Sequence, residues 1–156
     1  MKRTIALFVL VLAIAPAAHA QPRWSRDHDP HVAAVGLAAG LTSGTGLALR
    51  WPVLPQVMAS VAGGVWGSSD DLAWNTGFEA HYILRQSGRL RFFAGPAVAW
   101  YSDRKEDDVD INVSGGIGIE WLYAERVSFK VDLGFTYQSD EEKTYPLPQA
   151  SVFFYF

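Results

Sequence analysis

The chain has 156 residues, of which 49% are hydrophobic and 13% aromatic, and its formal net charge is −3. This acidic balance excludes a broad basic surface for nucleic acid, so no nucleic-acid partner is expected. The chain contains no cysteine, which excludes disulfides as a source of stability.

The first 20 residues predict an export signal. Lys2 and Arg3 supply a positive start, residues 5–15 are apolar and uncharged, and Ala18 and Ala20 stand where signal peptidase recognises small side chains. The apolar stretch is shorter than the roughly 20 residues of a membrane-spanning helix. We therefore expect 1–20 to be a cleaved signal peptide, 21–31 a flexible N-terminal segment, and 32–156 a single β-barrel.

Two segments near the C-terminus show the clearest alternation of apolar and polar residues. In 127–138, apolar residues occupy every second position without exception, and 109–123 follows the same pattern almost as regularly. Only a β-strand separates such sets onto opposite faces, because a helix would distribute both around its axis. Both segments exceed ten residues, a length typical of tilted membrane strands and long for a soluble sheet.

Six further segments are compatible with strands: 32–41, 45–53, 56–67, 72–85, 89–102 and 147–156. Within the fifth of these, Pro96 predicts a bulge or a position whose N–H would be free. Short connections at 52–56, 86–89 and 124–126 alternate with more polar ones at 42–45, 68–71, 103–108 and 139–146. Short turns at one end and polar loops at the other are typical of transmembrane barrels. The predicted fold is all-β: an eight-stranded antiparallel up-and-down barrel with short periplasmic turns.

Alternation alone does not decide which face meets solvent, since a soluble lipocalin-like barrel would place the apolar set inside. Two features favour an apolar exterior in a membrane. Aromatic residues concentrate near strand ends on the apolar face, and the polar face is rich in glycine, which a narrow lumen needs beside charged side chains. The aromatic set comprises Trp51, Trp74, Tyr82, Trp100, Trp121, Tyr123 and Tyr137.

The C-terminus carries a resemblance to a known group. Phe156, Phe154 and Val152 alternate at the end of the last segment, and this ending resembles the outer-membrane barrel families, in particular the small OmpA-barrel and OmpX-like group. The resemblance implies recognition by the barrel-assembly machinery and residence in outer-membrane lipid of the cell envelope. We expect a monomer, and the sequence identifies no extracellular partner.

The inward face gathers the candidate functional residues. With polar side chains turned inward, the lumen holds a network of Arg50, Glu79, His81, Arg91, Glu120, Lys130 and Asp132. Charges in a narrow interior must be paired, so a rigid polar plug is favoured over a gated ion path.

No catalytic, cofactor-binding or metal-binding residue is predicted. A lipid-modifying outer-membrane enzyme would need a nucleophile beside a base, and the sequence offers no serine that can be assigned to His81. The favoured function is a non-enzymatic outer-membrane barrel that anchors or reinforces the membrane, or makes surface contacts through 103–108 and 139–146. A lipid-modifying enzyme and a soluble ligand-binding barrel are the alternatives.

Overall fold

The computed structural model describes residues 33–67, 72–103, 109–139 and 142–156. The predicted signal peptide and N-terminal segment lie outside these residues. No helix among the described residues is long and apolar enough to cross a membrane.

Eight antiparallel strands form one closed barrel, in which each strand pairs with the next along the chain and the last pairs with the first. The predicted fold class is therefore confirmed. The strands are β1 (Ala34–Ala39), β2 (Gly46–Leu54), β3 (Val57–Gly67), β4 (Leu72–Ser87), β5 (Leu90–Asp103), β6 (Val109–Ala124), β7 (Val127–Gln138) and β8 (Lys143–Tyr155).

One end of the barrel is closed by tight turns. Only two residues each connect β2 to β3, β4 to β5 and β6 to β7, as the short connections in the sequence predict. Gly88 has a φ of 56° in the second of these turns, a left-handed conformation that glycine adopts without steric cost. Both described ends of the barrel wall, Ala34 and Tyr155, pair with each other at this same end.

The start of β8 differs from the prediction, which placed 139–146 in a loop. The strand begins at Lys143, and Lys143 pairs with Gln138 of β7. The polar residues Lys143 and Thr144 and the prolines at 146 and 148 weaken the strand pattern in the sequence. Pairing with the long β7 extends the strand through them.

The exterior of the barrel is apolar and the interior polar. On β6, for example, Ile117 is 67% exposed while Glu120 is 0% exposed. The same inversion holds on β7, where Val131, Leu133 and Phe135 face outward and Lys130 and Asp132 are buried. A soluble barrel would have the opposite arrangement, so the lipocalin-like alternative is wrong. A closed barrel with an apolar exterior satisfies its backbone groups internally, as a membrane requires.

Pro96 lies in an unbroken stretch of β5 that pairs with Gly115 of β6. On the other side, β4 and β5 pair at Glu79 and Ala97 and again at Tyr82 and Ala94, with no pairing between. The proline thus has no bulge at its position. Pro96 lies where β5 is not paired with β4. This position suits proline, which has no N–H to donate.

Candidate functional site: the polar lumen

The structure places all seven polar residues singled out from the sequence inside the barrel, each at most 7% exposed. Because β-strand side chains alternate, these residues converge from five different strands on one narrow space. Their formal charges balance, with three cations and three carboxylates beside His81. The cations are Arg50, Arg91 and Lys130, and the carboxylates are Glu79, Glu120 and Asp132.

Glu120 is the centre of the cluster nearer the tight turns. Its Oε1 lies 2.9 Å from Nη1 of Arg50, and its Oε2 lies 3.4 Å from Nη1 of Arg91. Two hydroxyls complete the site: Ser128 donates to Oε1 at 2.7 Å and Tyr155 donates to the same oxygen at 2.5 Å. One carboxylate therefore joins side chains from β2, β5, β7 and β8.

Glu79 is the centre of a second cluster. Lys130 donates to its Oε2 at 2.5 Å, and Ser60 donates to the same oxygen at 3.0 Å. Nε2 of His81 lies 3.4 Å from that oxygen, and Nζ of Lys130 also lies 3.2 Å from Oδ1 of Asp132. Charge-assisted contacts of this kind are stronger than neutral hydrogen bonds.

Aromatic side chains fill the space between the ionic groups. The guanidinium carbon of Arg50 lies 5.3 Å from the ring centre of Phe153, and Nζ of Lys130 lies 5.8 Å from that of Phe93. A cation over an aromatic face at this distance is attracted by the ring. Gly118 leaves the room that Phe93 needs, since an added Cβ would overlap the Phe93 ring. Phe93 and Phe153 are not among the site residues predicted from the sequence, although alternation along β5 and β8 places both inside the barrel.

The loop 40–45 between β1 and β2 enters the lumen from the opposite end. Thr42 is 0% exposed and Ser43 is 2% exposed, which is unusual for connecting segments, since these normally lie on the surface. The amide groups of Thr42 and Ser43 both donate to Oε1 of Gln149, at 3.3 and 2.8 Å. A side chain from β8 therefore satisfies two backbone donors of a buried loop.

Side chains from β4, β5 and β6 hold the rest of this loop. Asn75 forms two hydrogen bonds with the main chain of Thr45, at 2.7 and 2.9 Å. From the far wall, the Tyr101 hydroxyl donates to the carbonyl of Gly40 at 2.8 Å, and the Asn112 amide donates to that of Leu41 at 3.0 Å. The burial of the loop 40–45 is not predicted from the sequence. The only available signal is the placement of amide side chains on inward strand positions.

Gln149 joins the loop to the charged clusters, because its amide nitrogen donates to Oδ2 of Asp132 at 3.0 Å. The Glu120 cluster, the Glu79 cluster and this connection thus follow one another along the barrel, from Arg91 beside the tight turns to the loop 40–45 at the other end. We call this series, with the loop, the luminal column. It places buried polar and charged side chains along the interior, and the loop 40–45 forms its end opposite the tight turns.

Gly77 lies directly against the main chain of the loop 40–45. A Cβ there would overlap the main chain of Ser43 and Gly44, so Gly77→Val is expected to displace the loop. In a Ser43→Cys background, maleimide labelling should be slow, and adding Gly77→Val should make it fast. Gly115→Val is the matched control, since a Cβ at Gly115 meets no atom within 4 Å. Equal labelling rates in the two double variants would contradict a loop seated against Gly77.

The surroundings of His81 do not form a nucleophile–base pair. The nearby hydroxyl of Ser60 donates to Glu79 rather than to the imidazole, and His81 stacks at 4.4 Å on Phe93. Ser60 and His81 are both buried in the lumen, away from the lipid that a membrane enzyme would modify. A serine nucleophile needs a base that accepts its proton, and Ser60 and His81 are not arranged in this way.

The loops predicted to make surface contacts lie partly outside the described residues, which omit 104–108 and 140–141. Surface contact through 103–108 and 139–146 therefore stays a prediction. At the C-terminus, Phe156, Phe154 and Val152 all face outward, and the amide of Phe156 donates to the carbonyl of Ala33 at 3.0 Å.

No family model matches the sequence, and no curated protein matches it. Solved structures do. The N-terminal β-barrel domain of Pseudomonas aeruginosa OprF is 20% identical with a TM-score of 0.54, and the match covers 80% of this chain and 95% of that domain. Ail, the attachment invasion locus protein of Yersinia pestis, matches at 13% identity and a TM-score of 0.46, over 80% of this chain and 97% of Ail.

CarO2 of Acinetobacter baumannii is 13% identical with a TM-score of 0.44, and the match covers 80% of this chain and 98% of that protein. The OprF domain has the same fold. Together with the apolar exterior, that fold makes the chain a β-barrel of the outer membrane.

Proposed function

We propose that the protein is a non-enzymatic outer-membrane barrel that reinforces or anchors the membrane and does not conduct solutes. The luminal column is the observation that carries this proposal. Its ionic groups balance in charge and bind one another, and the loop 40–45 lies above them. A solute path would require these contacts to separate along the whole barrel.

Barrel size supports the proposal. Eight strands enclose a space that side chains can fill, whereas the 16–18 strands of porins leave an aqueous channel. The buried ion pairs hold the luminal side chains in place but add little net folding stability, because the cost of desolvating the charges offsets much of their attraction. An interior of this kind suits a protein that works through its outer face and its loops.

A permeability measurement tests this function. Protein refolded into phosphatidylcholine vesicles should leave them as tight to potassium and to small sugars as empty vesicles, because the column obstructs the lumen. A porin reconstituted in parallel shows that the assay detects a pathway. Discrete, reproducible channel openings by the wild-type protein would overturn the proposal.

The last strand supports a proposed partner during biogenesis, the barrel-assembly machinery. Phe156→Ala should reduce the amount of folded protein in the outer membrane several-fold, because the resemblance implies that this terminal ring is recognised. Phe135→Ala is the matched control, since Phe135 is 65% exposed and Phe156 66%. The two variants thus lose similar lipid contact. If both assemble equally well in cells, the terminal residue has no special role.

A further inference from the structure

The three tight turns, which face the periplasm in a barrel of this kind, carry different charges. The β2–β3 hairpin has no charged residue in 51–57. In the β6–β7 turn, Arg126 directly follows Glu125, so the exposed charges of that turn balance. The β4–β5 hairpin differs from both, because Arg85 and Arg89 are exposed and no acidic residue lies between them. We call these two residues the arginine pair.

Arg85 lies on the outer wall of the barrel. It pairs with Phe92 of β5, which is 41% exposed, and side chains of directly opposed residues share one face of a sheet. Phe92 in turn pairs with Ile119 of β6, another exposed apolar residue. A cation on a lipid-facing surface is costly unless its long side chain reaches the headgroups. The position of Arg85 therefore calls for an anionic or aqueous neighbour at the edge of the membrane.

Three aromatic rings beside the arginine pair mark the depth of that edge. The ring of Trp121 lies 5.5 Å from that of Tyr123, and the ring of Phe129 lies 6.1 Å from Tyr123. All three are exposed on the outer face, and such rings near strand ends lie at the membrane interface. Nη1 of Arg89 donates to the carbonyl of Tyr123 at 3.4 Å. The arginine pair thus lies at the depth where lipid headgroups begin.

The described part of the protein does not neutralise the arginine pair. Neither Arg85 nor Arg89 forms an ion pair among the described residues. The hydrogen bond from Arg89 goes to an uncharged carbonyl. The strands β4, β5 and β6 are described without a gap at this end, and the closed strand order places β1, where the described chain begins, opposite β5. Two exposed cations therefore face the interface without a protein carboxylate.

We propose that the arginine pair binds the phosphate group of an anionic phospholipid in the periplasmic leaflet, whose chains lie along Leu90, Phe92 and Trp121. Arginine suits this ligand, since its planar guanidinium donates two parallel hydrogen bonds to a phosphate. The apolar surroundings of Arg85 favour a lipid over a soluble anion, because a lipid presents phosphate beside hydrocarbon. This inference goes beyond the reinforcing role, which requires no particular lipid.

Native mass spectrometry of the protein refolded in detergent micelles tests the site, because it resolves each bound lipid. The protein is titrated with phosphatidylglycerol or with phosphatidylcholine of the same chains. Wild-type protein should bind the first phosphatidylglycerol more tightly than phosphatidylcholine. Arg85→Gln and Arg89→Gln should each lower the affinity for phosphatidylglycerol about five-fold, the effect of one cation at an anionic lipid surface. Binding of phosphatidylcholine should change little.

Arg126→Gln is the matched control, because it removes the same charge at the same end from a turn that Glu125 already balances. Its affinity for phosphatidylglycerol should stay close to that of the wild type. An equal loss in all three variants would show diffuse attraction to the charge of the turns and overturn the site. Equal affinity of the wild-type protein for the two lipids would also overturn it.

A competition experiment separates a lipid from a soluble anion. Glycerophosphoglycerol has the headgroup of phosphatidylglycerol without its chains, so it should not displace the bound lipid at equal concentration. Displacement would overturn the assignment of a lipid. A heat-shifted band on gels verifies folding of every variant. Vesicle tightness is measured separately, so the non-conducting, reinforcing role stands or falls independently of the lipid site.

Discussion

Glu120→Ala is expected to destabilise the folded barrel by about 3–5 kcal/mol, the cost of removing one partner from a buried ion pair. The substitution leaves Arg50 and Arg91 without the carboxylate that lies within 3.4 Å of each. Nε and Nη2 of Arg50 have no hydrogen-bond partner among the described residues, so no second group would compensate its charge through them. Urea unfolding in detergent micelles or vesicles, followed by tryptophan fluorescence, measures the change in the free energy of unfolding.

Glu125→Ala is the matched control, because it removes the same carboxylate from an exposed turn. Its effect should stay within about 0.5 kcal/mol, as is usual for surface positions. Glu120→Gln should fall between the two, since the amide keeps the shape and can still accept the hydroxyl hydrogen bonds. A Glu120→Ala protein as stable as the Glu125→Ala protein would contradict the central role assigned to this carboxylate.

Ile117→Arg is expected to cost about 2–4 kcal/mol of folding free energy in a bilayer, the range for a cation placed on the lipid face at the membrane midplane. Ile117 lies in the middle of β6, faces outward and pairs with Leu133, another exposed apolar residue. On a water-exposed surface, the same change would leave stability nearly unaltered. The effect therefore separates a lipid-facing exterior from a solvated one.

Val109→Arg provides the comparison within the same strand. Val109 is also outward and exposed, but it begins β6 at the loop end of the barrel. A cation there can reach the interface, so its cost should be about 0–1 kcal/mol. Chemical unfolding from vesicles measures both variants under one condition. Equal costs at the two positions would argue against a membrane-depth profile on this face.

The fold could be predicted because its determinants are local. Along β7, every second residue is apolar from Val127 to Tyr137, and a strand has no other way to sort side chains that alternate so regularly. The apolar exterior and polar interior could be predicted from the positions of the aromatic residues and glycines and from the C-terminal residues. The inward charged residues could be named from the sequence, because their parity is fixed once the outward face is known.

The partners of each charge could not be predicted, because register and barrel closure decide them. Glu120 and Arg50 meet across the lumen from β6 and β2, strands that are not neighbours in the sheet. The buried loop gave no local signal either. Apart from Leu41, residues 40–45 are small or polar, as is usual in turns. Contacts with Asn75, Tyr101, Asn112 and Gln149 hold them inside the barrel.

The start of β8 shows the same limit. Lys143 and the two following prolines suggest a loop by composition, yet pairing with β7 extends the strand to Lys143. The prolines were informative in another way, since they tolerate an unpaired strand edge. The structure is needed to show which edge of β8 extends beyond its neighbour, because β1 is short and its last pair with β8 joins Ala39 to Ala150.

Membrane fractionation followed by gel electrophoresis in SDS, with and without boiling, tests most directly whether the chain is a closed barrel embedded in the outer membrane. The protein should remain with the membrane after an alkaline carbonate wash. Its unboiled band should migrate differently from the boiled one, because the closed strand ladder resists SDS until heated. Recovery of the protein in the soluble periplasm, with one band under both conditions, would contradict the account.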